Sequence, residues 1–132
     1  GPMQAMGLSH GMAFSDFLKC IAETMDAAID VHLLPQSSIL CLDGQLIPSF
    51  IGRLETMETD WQRLETRLKQ ERLPPLGHLP EKNRRRGDDH TDVSQYFADS
   101  GLVQLVVDRY RGDLELFYSD VDLQQLSRGR LE

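Results

Sequence analysis

Apolar positions along this chain follow two different periods, and the change from one to the other divides the chain. Around Ser38 they form two short runs, Ile39-Leu40-Cys41-Leu42 and Leu46-Ile47, with Asp43-Gly44 between them. Asp-Gly between apolar runs signals a hairpin, because a type I′ turn needs positive φ at both central residues and glycine supplies one at no steric cost. Residues 39–42 and 45–47 are therefore the expected paired strands. Pro48 cannot donate to a ladder, so pairing should end there. Phe50-Ile51 is expected to form a second, very short extended piece, with Gly52 turning the backbone sharply before Leu54.

From Leu54 the period becomes helical. Leu54, Met57, Trp61, Leu64 and Leu68 recur at steps of three and four and share one stripe, while Glu58, Gln62, Glu65, Arg67 and Lys69 fall outside it. Glu55 and Glu58 suit the positive end of the helix dipole. Glu65 precedes Lys69 by four residues, the order that favours a surface ion pair of about 0.3–0.5 kcal/mol. The helix should stop before Pro74-Pro75.

The same rule predicts three further helices. Phe14, Phe17, Leu18, Ile21, Met25, Ala28 and Ile29 line one face of a helix that Ser15 can cap. Thr91 or Asp92 can start a short helix carrying Val93, Tyr96 and Phe97. Ser100 can cap another, whose Val103, Val106, Val107, Tyr110, Leu114 and Phe117 read as one continuous stripe. Gly112 inside that stripe costs about 1 kcal/mol relative to alanine. Pro35 pushes Leu34 out of the helical region, so a loop or extended segment should lead into the hairpin. The resulting fold class is α+β and mostly helical, a short hairpin or small sheet packed by three to four helices.

Residues 1–12 are rich in Met and Gly without a period and read as a flexible leader, with Gly1-Pro2 resembling a scar of expression. Residues 13–119 are expected to be one domain, and 120–132 a short helix or frayed tail. Residues 73–92 contain three prolines, two glycines and a basic run, the composition of a long surface loop.

Charge narrows the choice of partners. A net charge of −7 over 132 residues gives nucleic acid or an anionic membrane nothing to gain from the protein as a whole. No apolar run reaches the roughly 18–20 residues that span a bilayer, and no charged-then-apolar leader opens the chain, so the expectation is a cytoplasmic or otherwise soluble protein. Cys20 and Cys41 read as core thiols rather than a disulfide or metal pair. His10, His32, His78 and His90 lack the spacing of a helical metal site, and none is expected. Asp88, Asp89, His90 and Asp92 match no cation-binding loop and read as helix-capping acids. Arg111-Gly112-Asp113 lies within a helical stripe, not on the exposed loop from which integrins read that tripeptide.

Three groups of residues resemble the Golgi-type carbohydrate sulfotransferases and their bacterial relatives. They are His32-Leu-Leu-Pro35-Gln36 with Leu40-Cys41, Phe50-Ile-Gly-Arg53-Leu-Glu55 running on to Asp60-Trp61, and Tyr110-Arg-Gly-Asp113 leading to Leu116-Phe117-Tyr118. Leu79-Pro-Glu-Lys-Asn83 and the basic run after it look like the family's loop between the last two of these groups. The resemblance covers roughly residues 14–118 and is to the C-terminal half of such an enzyme. It implies part of an α/β sulfotransferase fold, and sulfuryl transfer from phosphoadenosine phosphosulfate to a sugar hydroxyl in a complete protein. The family's donor-cradling loop and its general base belong to the other half, so no residue here inherits a catalytic role.

What remains for an anionic donor is sparse. Residues 1–52 hold one cation, Lys19, against Asp16, Glu23, Asp26, Asp30 and Asp43. A polyanionic nucleotide needs cations, glycine-rich amides or helix N-termini turned towards it. Lys82, Arg84, Arg85 and Arg86 are the strongest anion candidates, since arginine forks match sulfate and phosphate; the alternative is a solvated charge run offset by Asp88 and Asp89. Arg53 could hold an anion at the start of its helix or pair with a nearby carboxylate. His32 is the acceptor-side candidate, or else a loop histidine bonded locally. Two functions are compatible with this: a sulfotransferase-like domain silent on its own and binding no donor by itself, or a non-catalytic interaction module of the same origin. In both, a second copy or a partner protein would cover the apolar faces and strand edges left open.

Overall fold

The Asp43-Gly44 hairpin forms as its turn chemistry requires, and its surroundings differ from the expectation. In the computed structural model, which describes residues 1–80 and 93–123, Asp43 has φ 50° and Gly44 φ 77°, the two positive values of a type I′ turn. Strands β1 (Cys41–Leu42) and β2 (Gln45–Leu46) pair antiparallel, Cys41 with Leu46 and Leu42 with Gln45. One further bond, Ile47 N–H to Leu40 O at 2.9 Å, extends the pairing past them. The expected strand at Ile39 and Leu40 is instead the end of helix α3 (Gln36–Leu40). Pro35 does keep Leu34 extended, but proline also presets φ for the start of a helix, and α3 follows it directly. Phe50-Ile51 forms no strand.

The chain divides into two compact units, Gly1–Ile47 with Val93–Val121, and Pro48–Asp92 with Asp122–Glu132. The first holds a short α1 (Pro2–Ala5), then α2 (Phe14–Glu23), a 3₁₀ turn at Val31–Leu33, α3 and the hairpin, a 3₁₀ turn at Val93–Phe97, α5 (Ser100–Arg109) and α6 (Arg111–Phe117). Helix α2 packs along α5, and α6 touches both α3 and α5. The second unit is built on α4 (Met57–Gln70), entered through a 3₁₀ turn at Leu54–Thr56. The fold is a mostly helical α+β arrangement with one two-stranded sheet among the described residues.

Helix limits depart from the apolar stripes where local polar bonds win. Helix α2 begins at Phe14 with Ala13 in the cap position, so Ser15 lies inside it. It stops at Glu23, where the Thr24 hydroxyl bonds back to Cys20 O at 2.6 Å, leaving Met25, Ala28 and Ile29 beyond its end. Asp99, not Ser100, caps α5 by accepting the Gly101 N–H at 2.7 Å. The single stripe expected through Phe117 is broken at Tyr110 into α5 and α6. Helix α4 ends in a Schellman arrangement: Arg72 takes φ 58°, its N–H reaches Lys69 O, and Leu73 N–H reaches Leu68 O at 2.8 Å.

The buried apolar residues are few. Among the described residues Leu8, Leu18, Ile21 and Phe117 are buried, all in the first unit. Phe14 meets Tyr96 at 5.2 Å and Phe97 edge-on at 5.5 Å between ring centres, so the 3₁₀ turn is seated on the start of α2. Leu54, the first residue of the α4 stripe, is 79% exposed. The expected core thiols Cys20 and Cys41 are free and half-buried.

Candidate functional site

In the first unit the sequence Asp30-Val-His32-Leu-Leu-Pro35-Gln36-Ser37 is gripped by the junction of α5 and α6. Asp30 is buried and caps the 3₁₀ turn: its Oδ1 accepts the His32 N–H at 2.9 Å and lies 2.6 Å from His32 Nδ1. The backbone bond and the ring together hold the Asp30 carboxyl below the ordinary carboxylate range. His32 itself is 77% exposed at the side chain. Next along, the Tyr110 hydroxyl donates to Leu33 O at 2.7 Å, and burial pushes its pKa up. The Asp113 carboxylate then accepts Gln36 N–H at 2.8 Å and Ser37 N–H at 2.6 Å, satisfying the first amides of α3. The same approach explains Gly112: a Cβ there would lie 2.8 Å from Ser37 Oγ, so the residue keeps open the contact between α6 and α3.

Arg109 ties the end of α2 to this assembly. Its side chain is 12% exposed, its Nε donates to Ile21 O at 3.1 Å, and its Nη1 lies 2.7 Å from Asp26 Oδ1. Asp26 Oδ2 in turn accepts the Ser38 hydroxyl at 2.6 Å, the bond that contributes most to lowering the Asp26 pKa. Arg109 Nη2 is buried without a hydrogen-bond partner.

In the second unit Asp60 plays the central part. It is 7% exposed although it sits in the first turn of α4, because its carboxylate turns back onto the segment before the helix. Oδ2 accepts the Arg53 N–H at 2.8 Å and the Thr56 hydroxyl at 2.7 Å, and Oδ1 accepts from Arg63 Nη1 at 2.8 Å. The Arg53 amide is the largest cause of its depressed pKa. Gly52 lets the backbone pass, since a Cβ there would be 3.4 Å from Asp60 Cβ. Arg67 reaches Ser49 O at 2.6 Å, and Arg63 lies over the Phe50 ring at 5.6 Å. On its other side α4 holds the proline-rich segment: Trp61 Nε1 donates to Gly77 O at 2.9 Å, and Glu65 accepts the Leu76 N–H at 2.6 Å. Glu65 is therefore spent on that loop, and it is Glu71 that pairs with a basic residue, Arg67 at 3.4 Å.

Of the predicted site residues, His32 lies in the first unit and Arg53 in the second. His32 is paired with Asp30, and the helix start at Arg53 already receives the Asp60 carboxylate. Lys82, Arg84, Arg85 and Arg86, like Asp88, Asp89, His90 and Asp92, lie outside the described residues. The anchors that sequence reasoning missed are Asp30, Asp60, Arg109, Tyr110 and Asp113. Asp30 carried a local signal, an acid two residues before a turn amide. Asp113 carried none, because its partners are 76 and 77 residues away.

Arg63, Arg67, Arg109 and Arg111 each bond protein oxygens, the last to Asp108 at 2.7 Å. No group of three His, Cys, Asp or Glu that could hold a metal occurs among the described residues. No helix among them is long and apolar enough to cross a membrane. Comparison with known proteins gives one family-level match: a model described as the sulfotransferase family covers residues 2–119. No curated protein and no solved structure matches the chain.

Proposed function

The chain belongs to the sulfotransferase family, and we propose that it supplies the acceptor side of a sulfuryl-transfer domain whose donor-binding part lies outside these residues. Complete enzymes of the family take sulfate from phosphoadenosine phosphosulfate. In this reading the chain corresponds to the C-terminal half of a carbohydrate sulfotransferase. It shapes the approach of a sugar hydroxyl, with His32 turned to the acceptor, and is catalytically silent alone.

The observation that carries the reading is the partition of charge. The first unit has three cations, Lys19, Arg109 and Arg111, against ten carboxylates, whereas the second has eleven of each. A surface so acidic repels a nucleotide bearing several phosphate and sulfate charges and tolerates a neutral sugar. Any cationic grip on the donor from this chain would come from the second unit, where Arg53 and the Lys82, Arg84, Arg85 and Arg86 run are the candidates.

Titration with adenosine 3′,5′-bisphosphate, followed by amide shifts or calorimetric heat, tests this. No saturable binding is expected. Binding at micromolar concentration that is abolished by replacing Arg84, Arg85 and Arg86 with Ala would instead assign a donor site to this chain. Transfer of sulfate to a sugar by the purified chain would overturn the reading outright. The second reading, a non-catalytic interaction or dimerisation module derived from the same fold, is favoured by the exposed apolar residues of the hairpin. A concentration-dependent mass on sizing, without nucleotide binding, would select it.

A further inference from the structure

The hairpin exposes on its surface what a core strand would bury. Leu42 is 65% exposed and Ile47 64%, with Ile39 and Leu46 also open to solvent. Cross-strand partners share a face, so the 42–45 and 40–47 pairings put Leu40, Leu42, Gln45 and Ile47 together. That face is apolar at three of its four positions. Two strands of this length are marginal by themselves; a third strand or a packed cover is what normally stabilises such a ladder.

The two edges of the hairpin are not equivalent. Cys41 and Leu46 form the pair whose peptide groups turn outward. On the β1 edge the Cys41 N–H is already bonded to Ser37 O at the end of α3. On the β2 edge Leu46 makes no such bond among the described residues. Among the described residues, only the β2 edge therefore offers both an open backbone donor and acceptor and exposed apolar side chains on either side.

The base of the hairpin is held in advance. Helix α3, which runs directly into β1, is fixed at its first amides by Asp113 and at Ser38 by Asp26. An incoming strand therefore meets an ordered edge and does not have to order it.

Charge decides between a second copy and a different partner. Two copies would bring together units with three cations and ten carboxylates each, and Asp43 stands at the tip of the hairpin itself. Like-charged surfaces slow encounter and weaken the complex, while a basic partner gains on both counts.

We propose that the β2 edge at Leu46, with Leu42 and Ile47 beside it, is a docking site for an extended basic segment of a partner protein, added as a third strand. The segment alternates apolar residues with Lys or Arg. Its backbone bonds to Leu46, its apolar side chains cover Leu42 and Ile47, and its cations face the acidic unit. This is β-strand addition, in which the main chain supplies affinity and alternate side chains supply choice. It does not depend on the sulfuryl-transfer reading: the site is tested by peptide binding alone, and that reading by nucleotide and sulfate transfer.

The test titrates the isotope-labelled full chain with a synthetic heptapeptide of alternating Lys and Val, and with its Glu-Val counterpart as control. Saturable amide shifts confined to residues 39–47, slowed exchange of the Leu46 amide, and weakening with added salt are expected for the Lys peptide only. The double variant Leu42→Lys with Ile47→Lys should bind at least about tenfold more weakly, since it removes apolar cover and adds repulsion. Both positions are exposed, so the fold should survive, and Leu54→Lys in the other unit should bind as the parent does. Equal binding of the Glu peptide, shifts centred elsewhere, or no shift at millimolar peptide would overturn the proposal. So would a doubling of mass at physiological salt that Leu42→Lys abolishes, because the occupant would then be a second copy.

Discussion

Replacing Asp60 with alanine should unfasten the second unit at its start. The carboxylate accepts three hydrogen bonds, from the Arg53 amide, the Thr56 hydroxyl and Arg63. Arg63 is largely exposed, and an exposed ion pair contributes under about 1 kcal/mol. The other two bonds lie in a half-buried region, and truncation leaves the Arg53 N–H without its acceptor. Each of these half-buried bonds contributes about 0.5–1.5 kcal/mol, so Asp60→Ala should destabilise by about 1–3 kcal/mol. Thr56→Val should cost less, about 1 kcal/mol, and Arg63→Ala least. The single tryptophan is the neighbouring residue, so denaturant unfolding followed by Trp61 fluorescence reads this unit directly.

The pH dependence has a definite sign. The folded pKa of Asp60 is depressed, so the unfolded chain binds the proton more readily and stability rises with pH across the interval between the two values. The stabilisation is complete above the unfolded carboxylate pKa of about 3.9 and is lost as pH falls through the depressed folded value. Asp60→Asn should flatten that acid limb. A loss below about 0.5 kcal/mol in Asp60→Ala, or an acid limb unchanged in Asp60→Asn, would show that the carboxylate is not the fastening.

Asp113→Ala should destabilise the first unit by about 1–2 kcal/mol in urea unfolding followed by circular dichroism, because the two leading amides of α3 lose one acceptor. Gly112→Ala should fail to give the roughly 1 kcal/mol gain of such a change in an open helix, since its Cβ meets Ser37 Oγ. The gain should return when Ser37→Ala is made as well, and full gain in the single variant would contradict the close approach. Glu65→Ala should speed hydrogen exchange at Leu76 while changing global stability by less than about 1 kcal/mol, as the bond is exposed; unchanged exchange would remove Glu65 as the loop's anchor.

The parts of this fold that were legible in the sequence are those decided within a few residues. Asp43-Gly44 forces its turn whatever surrounds it, and the 3.6-residue period from Met57 to Gln70 needs only its own side chains to declare a helix. The errors fall where a distant group competes. The break at Tyr110 coincides with a phenol bonded 77 residues away, and Gly112, which looks like a weakness in a helix, is the opening that admits Ser37. No periodicity contains such information.

The same contrast governs the residues that carry the family resemblance. His32-Leu-Leu-Pro35-Gln36 and Tyr110-Arg-Gly-Asp113 look like separate motifs in the sequence, yet each is half of one joint: Tyr110 and Asp113 take the Leu33 carbonyl and the Gln36 and Ser37 amides. Gly52, Arg53 and Asp60 make a second joint in the same manner. Each motif thus includes side chains that fasten another stretch of backbone, a structural task that needs no bound donor. His32 keeps its ring turned largely to solvent while the buried Asp30 carboxylate holds it, and this exposure is why we propose the acceptor role for His32 and not for the residues that staple it in place.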